Sequence, residues 1–254
     1  ISLAYREGRI YAGGACTLEV LDLTGKLIQR YPQSWGPCRK VVFIDNDRGG
    51  YSSVSLRKNS TDGVYMWTVD SQTGKNTVKF NLNMPGYQHF PSFGSLRRSD
   101  IFVADFDGDG KQELVGDAQG MYNWLNCYDN EGNPKYQLNL GPGYFTRTWT
   151  VGDITGDKCP EIFVLTSLDQ VLAVNGKCVP LWNRDIPFRG ASLITVNESQ
   201  SRVLVANRQN LAIFDNTGKL LQNLALPRPV QKIWCRDGKV FALENSGQII
   251  QLNI

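Results

Sequence analysis

Residues 105–113 read Asp-Phe-Asp-Gly-Asp-Gly-Lys-Gln-Glu; they follow a short apolar run, 101–104, and a second strand-like run, 113–116, begins at their last residue. The alternating acids can turn their side chains toward one point, and the glycines between them let the backbone curl around it. A hard cation such as Ca²⁺ is bound by about six to eight oxygen atoms, which this loop can supply. The predicted ligands are the carboxylates of Asp105, Asp107, Asp109 and Glu113 and the main-chain carbonyl of Lys111.

The context of this loop argues against an EF-hand. An EF-hand loop has about twelve residues, lies between two helices and ends on an acid, whereas this loop has its closing acid at Glu113 and strand-like flanks. A strand, an acidic loop of this pattern and a second strand resemble the FG-GAP/VCBS repeat, the unit of calcium-binding β-propellers such as the integrin α head. The resemblance implies a β-propeller fold and calcium as the cofactor.

A strand–turn–strand pattern recurs along the chain, each time around a glycine of the kind that a tight hairpin needs at positive φ. The turn glycines Gly25, Gly74, Gly132, Gly176 and Gly218 are 49, 58, 44 and 42 residues apart. This period is typical of a four-stranded propeller blade. We therefore predict an all-β, six-bladed β-propeller of four-stranded antiparallel blades, a single domain whose last blade is incomplete. The predicted blades are 1–32, 38–85, 98–142, 147–187, 189–227 and 229–254.

Blade 4 carries a weaker copy of the acidic loop, in which a threonine replaces one acid. Its candidate metal ligands are Asp153, Thr155, Asp157 and Glu161. The sequence leaves open whether this second loop binds a cation. The corresponding segment of blade 2, 45–49, lacks a closing acid and is predicted to be a polar turn.

The chain has six cysteines, and none of them forms a Cys-x-x-Cys pair. This spacing argues against zinc knuckles and thioredoxin-like chemistry. Antiparallel strand order brings two pairs to common blade ends, and we predict that both pairs form disulfides, since a bridge needs Cα atoms within about 7 Å. The predicted disulfides are Cys16–Cys38 and Cys159–Cys178, and Cys127 and Cys235 are predicted to be buried free thiols.

Several features bear on location and on partner class. Calcium with disulfides favours an oxidising extracytoplasmic compartment, and Asn59 and Asn197 begin Asn-x-Ser/Thr sequences that predict N-glycosylation. The chain begins at Ile1, which indicates a processed product or a segment of a longer protein. A net charge of +3 is too small to indicate nucleic-acid binding, and no apolar run is long enough for a membrane helix. We predict a secreted or cell-surface protein without nucleic-acid binding or membrane insertion.

The connectors between the predicted blades share proline, arginine and aromatic residues. In a propeller these segments rim the central channel, where arginines would bind carboxylates, sulfates or phosphates and aromatic rings would stack on sugars. An ordinary polar surface explains the same composition. The candidate ligand-binding residues are Arg39, Arg97, Arg98, Arg147, Arg189, Arg228, Tyr87, His89 and Tyr144. The strand tryptophans are instead predicted to be core or inter-blade residues: Trp67, Trp124, Trp149, Trp182 and Trp234.

Two functions fit these features. The first is a calcium-stabilised binding or assembly module that recognises a glycan or protein partner, possibly anionic, through the connector face. Its short last blade exposes an edge that another segment or chain would complete by donating a strand. The second follows from a resemblance to rhamnogalacturonan lyases, which implies an enzyme acting on acidic, uronate-containing polysaccharides. His89, Tyr87 and Tyr144 are candidate bases, but no motif fixes one, so the sequence favours the binding module and assigns no catalytic residue.

Overall fold

The structure, a computed structural model, describes residues 2–33, 36–46, 48–59, 63–80, 101–118, 124–140 and 146–254. These residues form six antiparallel sheets in chain order, five of four strands and a last one of three, as predicted. The first sheet contains β1 (Ser2–Arg6), β2 (Arg9–Gly13), β3 (Thr17–Leu21) and β4 (Leu27–Pro32). The second contains β5 (Cys38–Asp45), β6 (Tyr51–Asn59), β7 (Gly63–Asp70) and β8 (Asn76–Phe80).

The remaining sheets repeat this order. The third contains β9 (Ile101–Ala104), β10 (Glu113–Ala118), β11 (Trp124–Tyr128) and β12 (Pro134–Asn139). The fourth contains β13 (Thr146–Gly152), β14 (Glu161–Thr166), β15 (Gln170–Val174) and β16 (Pro180–Asp185). The fifth contains β17 (Leu193–Asn197), β18 (Arg202–Ala206), β19 (Asn210–Asp215) and β20 (Leu220–Ala225), with a 3-10 turn at Glu198–Gln200. The sixth contains β21 (Val230–Arg236), β22 (Lys239–Glu244) and β23 (Ile249–Leu252).

The chain forms two compact units, and neighbouring sheets pack face to face within each of them. The first unit comprises Ile1–Val103 and Lys111–Tyr136. In it, Tyr11 and Leu18 of the first sheet pack with Val41 on one face of the second sheet. The opposite face of the second sheet packs on Leu114 and Tyr128 of the third. Alternation of side chains along each strand produces these two apolar faces.

The second unit comprises Ala104–Gly110 and Gln137–Ile254. Phe163 and Trp182 of the fourth sheet pack with Phe214 of the fifth, and Ile213 of the fifth packs with Ile233 of the sixth. The strands β14, β15, β18 and β19 are almost completely buried between these layers. In the described residues no helix has the length and hydropathy that a membrane span requires.

The hairpins between third and fourth strands explain why the turn pattern repeats. In the fifth sheet, Asp215 Oδ1 accepts hydrogen bonds from the main-chain nitrogens of Thr217 and Lys219, both at 2.9 Å, and Gly218 has φ 79°. An acid or amide that binds the backbone two and four residues ahead is typical of such turns. The fourth sheet corrects one prediction, because its left-handed residue is Cys178, with φ 59°, and not Gly176.

Candidate functional site

The acidic loop between β9 and β10 brings three carboxylates together. The oxygens of Asp105, Asp107 and Asp109 all lie within 4.8 Å of one another. The loop backbone holds Asp105 in place, because Oδ1 accepts a hydrogen bond from Gly108 N at 2.8 Å and Oδ2 accepts one from Gly110 N at 2.9 Å. Three converging carboxylates are the hard oxygen donors that Ca²⁺ prefers, so these residues fit that ion.

The predicted closing ligand, Glu113, has a partner of its own. It lies at the start of β10 with 1 % exposure, and its Oε1 accepts a hydrogen bond from Lys135 Nζ at 2.9 Å. Metal ligation through this oxygen would therefore have to compete with a partly buried ion pair. The other predicted ligand residue, Lys111, is exposed.

The loop between β13 and β14 has the same backbone turn, but its acidic side chains are arranged differently. Asp153 Oδ1 and Oδ2 accept hydrogen bonds from Gly156 N at 2.6 Å and Lys158 N at 2.8 Å, which reproduces the spacing around Asp105. Glu161 folds into the loop, where it accepts hydrogen bonds from Ile154 N at 3.0 Å and Thr155 Oγ1 at 3.1 Å. Burial raises the pKa of its carboxyl group. Within the described residues, neither these acids nor Asp157 belong to a group of three close carboxylates.

The two loops are neighbours in the second unit. A Cβ built on Gly108 would lie 3.1 Å from Cys159 Sγ, and the main-chain carbonyl of Phe106 lies directly against Gly176. Burial raises the pKa of the Cys159 thiol, and Asp157, Asp105, Asp153 and Glu161 raise it further. The sequence did not predict this contact, because it joins residues about fifty positions apart.

The candidate ligand-binding residues of the connectors are only partly described. Arg97, Arg98, Tyr87, His89 and Tyr144 lie outside the described residues, and Arg39 and Arg147 lie in β5 and β13 without described side chains. The two that are described pair with buried acids: Arg189 Nη1 lies 3.7 Å from Asp169 Oδ2, and Arg228 Nη1 lies 3.3 Å from Glu244 Oε2. Both arginine side chains nevertheless stay largely exposed, at 92 % for Arg189 and 64 % for Arg228, so these pairs are weak surface contacts.

Both predicted disulfides are absent. All six cysteines are free thiols in the structure, so the predictions for Cys16–Cys38 and Cys159–Cys178 are wrong. The residues of each pair lie at different depths, since Cys38 and Cys178 are buried while Cys16 is exposed and Cys159 half-buried. Cys127 is a buried free thiol as predicted, whereas Cys235 is only half-buried.

The two predicted glycosylation sites have different outcomes. Asn197 is 2 % exposed, and its Nδ2 donates hydrogen bonds to Gly238 O at 3.0 Å and Gln200 Oε1 at 3.2 Å. A glycan would have to displace these contacts, so the structure argues against modification at Asn197. Asn59 ends β6, and its side chain lies outside the described residues.

The sixth sheet presents an incomplete edge. β23 pairs with β22 on one side, and within the described residues no strand pairs with its other side. The third strands of the complete neighbouring sheets, β15 and β19, are buried along most of their length, whereas β23 alternates exposed and half-buried residues. Ile249 is 64 % exposed. Among the described residues, none forms in the sixth sheet the fourth strand that β16 and β20 form in the fourth and fifth sheets.

A sequence of six antiparallel sheets in chain order defines the β-propeller class, and comparison with solved structures places this chain there. The chain is similar to Saccharomyces cerevisiae Sqt1, with TM-score 0.68 and 13% identity over 100% of this chain and 70% of that one. It is also similar to Moraxella catarrhalis BamB, with TM-score 0.61 and 13% identity over 97% and 70% of the two chains. The Neurospora crassa Pan2 WD40 domain matches with TM-score 0.64 and 11% identity over 100% and 75%.

At these identities the likeness establishes the fold alone. A scan against protein-family models found no match, and neither did a search of curated proteins. The resemblance to FG-GAP/VCBS repeats is therefore not supported at the level of the family, although the propeller fold that it implied is confirmed.

Proposed function

We propose that this β-propeller is a binding module that holds a protein partner by accepting one of its strands at β23. The observation that carries the proposal is the exposure of this third strand, whose counterparts β15 and β19 are covered by a fourth. Unpaired main-chain groups on an edge strand are a ready template for strand addition.

The chemistry of β23 supports this role. The outer strands of two other sheets carry residues that discourage pairing, namely Arg30 and Pro32 in β4 and Pro180 and Arg184 in β16, whereas β20 carries none. β23 reads Ile-Ile-Gln-Leu, without charge or proline. Ile250 and Leu252 already pack against the core between the fifth and sixth sheets, which keeps the strand in a pairing geometry.

The exposed edge of β23 favours a protein partner over an anionic glycan, because strand addition uses main-chain groups that a glycan lacks. The described connector arginines, Arg189 and Arg228, each lie near one acid, Asp169 and Glu244, and do not form a cluster of their own. Nothing in the described residues favours the lyase function, and its candidate bases lie outside them. An extracellular or cell-surface location stays a prediction.

The strand-addition proposal predicts that a peptide copied from a natural fourth strand binds the sixth sheet. The peptide Lys-Leu-Leu-Gln-Asn-Leu-Ala-Leu reproduces residues 219–226, which include β20. We expect saturable binding, measured by anisotropy of the labelled peptide, together with slowed hydrogen exchange of the amides in Ile249–Leu252. Pairing of β23 would account for that protection because it uses the exposed main-chain groups.

The control peptide carries proline at two alternate positions, which removes ladder hydrogen bonds without changing length or net charge. It is expected to leave the exchange of Ile249–Leu252 unchanged. Equal binding of both peptides, or protection confined to another strand, would contradict strand addition at β23.

We also propose that the Asp105–Asp107–Asp109 group binds Ca²⁺ and that the ion stabilises the second unit. The oxygens of the three carboxylates converge within 4.8 Å, and an ion bound at that point would offset their mutual repulsion. The chain itself supplies the turn that holds Asp105, through the nitrogens of Gly108 and Gly110. The ion would contribute the positive charge at their centre.

Calcium is therefore expected to raise the melting temperature, and Asp107→Asn is expected to abolish that response. At a hundredfold excess over Kd, binding to the native state alone contributes about 2.7 kcal/mol. Thermal unfolding with EDTA and with CaCl₂ measures the effect. Asp22→Asn is the matched control, because Asp22 holds a hairpin turn through its Oδ1 without belonging to the group. If the unaltered protein melts at the same temperature with EDTA and with CaCl₂, the metal site is refuted.

A further inference from the structure

A cavity of about 400 Å³ lies between the second and third sheets, within the first unit. Its floor is apolar and includes Val54 and Met66, and hydroxyl groups of Thr68 and Thr77 line one wall. The opposite wall is the hairpin turn of the third sheet, where Asn130 and Glu131 face the gap. The volume lies in the range of small-ligand sites.

The equivalent space between the fourth and fifth sheets is filled by an indole. Trp182 of β16 is 8 % exposed and lies against Gly218 in the hairpin turn of the fifth sheet. Its Nε1 donates a hydrogen bond to Asn216 O at 3.0 Å, and its ring stacks on Phe214 with centroids 6.4 Å apart. The prediction that Trp182 is an inter-blade residue is confirmed.

Strand register shows that the second sheet faces its gap with the same row of positions with which the fourth sheet faces the space filled by Trp182. In the fourth sheet, Phe163 lies opposite Ala173, which lies opposite Trp182. Ala173 lies two residues before Asn175, where the hairpin turn begins, and Thr68 lies two residues before the corresponding Asp70. The row through Thr68 in the second sheet contains Val54, Thr68 and Thr77. Threonine therefore stands in the second sheet where tryptophan stands in the fourth.

The facing sheets correspond as well. The fifth-sheet turn begins Asp215-Asn216-Thr217-Gly218, and the third-sheet turn begins Asp129-Asn130-Glu131-Gly132. Phe214 lies opposite Val203 just before its turn, as Tyr128 lies opposite Leu114. The gap thus has the turn of an indole site, and Tyr128 packs with Val54 and Met66 of its floor, but among the described residues no tryptophan lines it.

We propose that this gap binds an indole ring, presented as a tryptophan side chain by the protein partner. The apolar floor accepts the ring face, and Asn130 of the turn lines the gap at the sequence position that corresponds to Asn216, whose carbonyl accepts the Trp182 hydrogen bond. The carboxylate of Glu131 at the rim favours an N–H donor over an anionic ligand. This inference rests on the proposed function only in assigning the tryptophan to a protein partner; the indole site itself is argued from the gap.

Filling the gap covalently is the first test. Thr77→Trp is expected to raise the melting temperature by roughly 3 °C, because the new indole would fill the gap as Trp182 fills the equivalent space in the fourth sheet. Leu221→Trp is the matched control, since it adds the same ring on the exposed outer strand β20, and it should leave the melting temperature unchanged. A lower melting temperature for Thr77→Trp would mean that the gap does not accept the ring.

Filling the gap from solution is the second test, with N-acetyl-tryptophanamide as the probe. We expect saturable binding by NMR titration, loss of binding in Thr77→Trp and retention in Leu221→Trp. The N1-methyl analogue should bind about three- to tenfold more weakly, since it cannot donate the ring hydrogen bond. Binding that survives Thr77→Trp, or no binding at all, overturns the proposal. This readout does not involve β23, so it is independent of the peptide result.

Discussion

Replacement of Arg57 by methionine is expected to lower the free energy of unfolding by about 4 kcal/mol, judged from the cost of unpaired buried polar groups. Arg57 lies in β6 and is fully buried. All its described hydrogen bonds go to neutral oxygens rather than to a carboxylate. The acceptors are Gln33 Oε1 at 2.6 Å and the main-chain carbonyls of Gly14 at 2.6 Å, Ala15 at 3.1 Å, Thr17 at 2.6 Å and Gly36 at 3.1 Å.

The cost comes from the oxygens that Arg57 leaves behind. They belong to the β2–β3 turn and the first residue of β3 in the first sheet, and to Gln33 and Gly36 after β4, so one guanidinium holds both regions against the second sheet. Burial lowers the pKa of Arg57, but arginine keeps its charge at any working pH. Methionine fills similar space without a donor, and several buried carbonyls then lose their partner.

Urea unfolding of Arg57→Met and Arg57→Lys measures this contribution. Lysine has three donors against the five of arginine, so Arg57→Lys should fall between Met and the unaltered protein. Arg30→Met removes an exposed arginine that pairs with Glu19 at 2.8 Å and should cost less than about 1 kcal/mol. If the Arg57 and Arg30 variants unfold at the same urea concentration, the role assigned to Arg57 is wrong.

The repeat was predictable from sequence because its signals are local. The conformation of a turn such as Asp215–Lys219 is determined by its own residues: the acid accepts hydrogen bonds from main-chain nitrogens two and four residues ahead, and the glycine has positive φ. Alternation along each strand fixed which residues face the neighbouring sheets. The convergence of Asp105, Asp107 and Asp109 was predictable for the same reason, since five successive residues determine it.

Features that depend on distant segments were missed or misjudged. From the sequence Arg57 looks like an ordinary strand residue, and its burial follows only from the positions of 14–17, Gln33 and Gly36. The cysteine pairing failed because strand order gives the end of a sheet but not the depth of Cys38 and Cys178 within it. The gap beside Thr77 is visible only when its register is compared with that of Trp182. The role of Gly176 was missed for the same reason, because its close neighbour, Phe106, is distant in the sequence.

Substitution of Gly176 by alanine is expected to destabilise the second unit by about 3 kcal/mol, at the upper end of the usual cost of overpacking. A Cβ at this position would lie 1.8 Å from Phe106 O and 2.4 Å from its carbonyl carbon. Main-chain atoms cannot rotate away as a flexible side chain can, so the acidic loop itself must move. Gly176 is thus required for close approach, since its φ is not positive.

This displacement should also reach the carboxylate group, because Phe106 lies between Asp105 and Asp107. Gly176→Ala is therefore expected to weaken the calcium response along with the fold, and to speed hydrogen exchange of the amides in 104–110. Gly156→Ala is the matched control: Gly156 has φ 82° with no atom near its Cβ, so it should cost only about 1–2 kcal/mol and leave the loop of Asp105 intact. A Gly176→Ala variant that melts with the unaltered protein and keeps its exchange pattern would show that the two loops are not in contact, because no main-chain carbonyl can share that space with a methyl group.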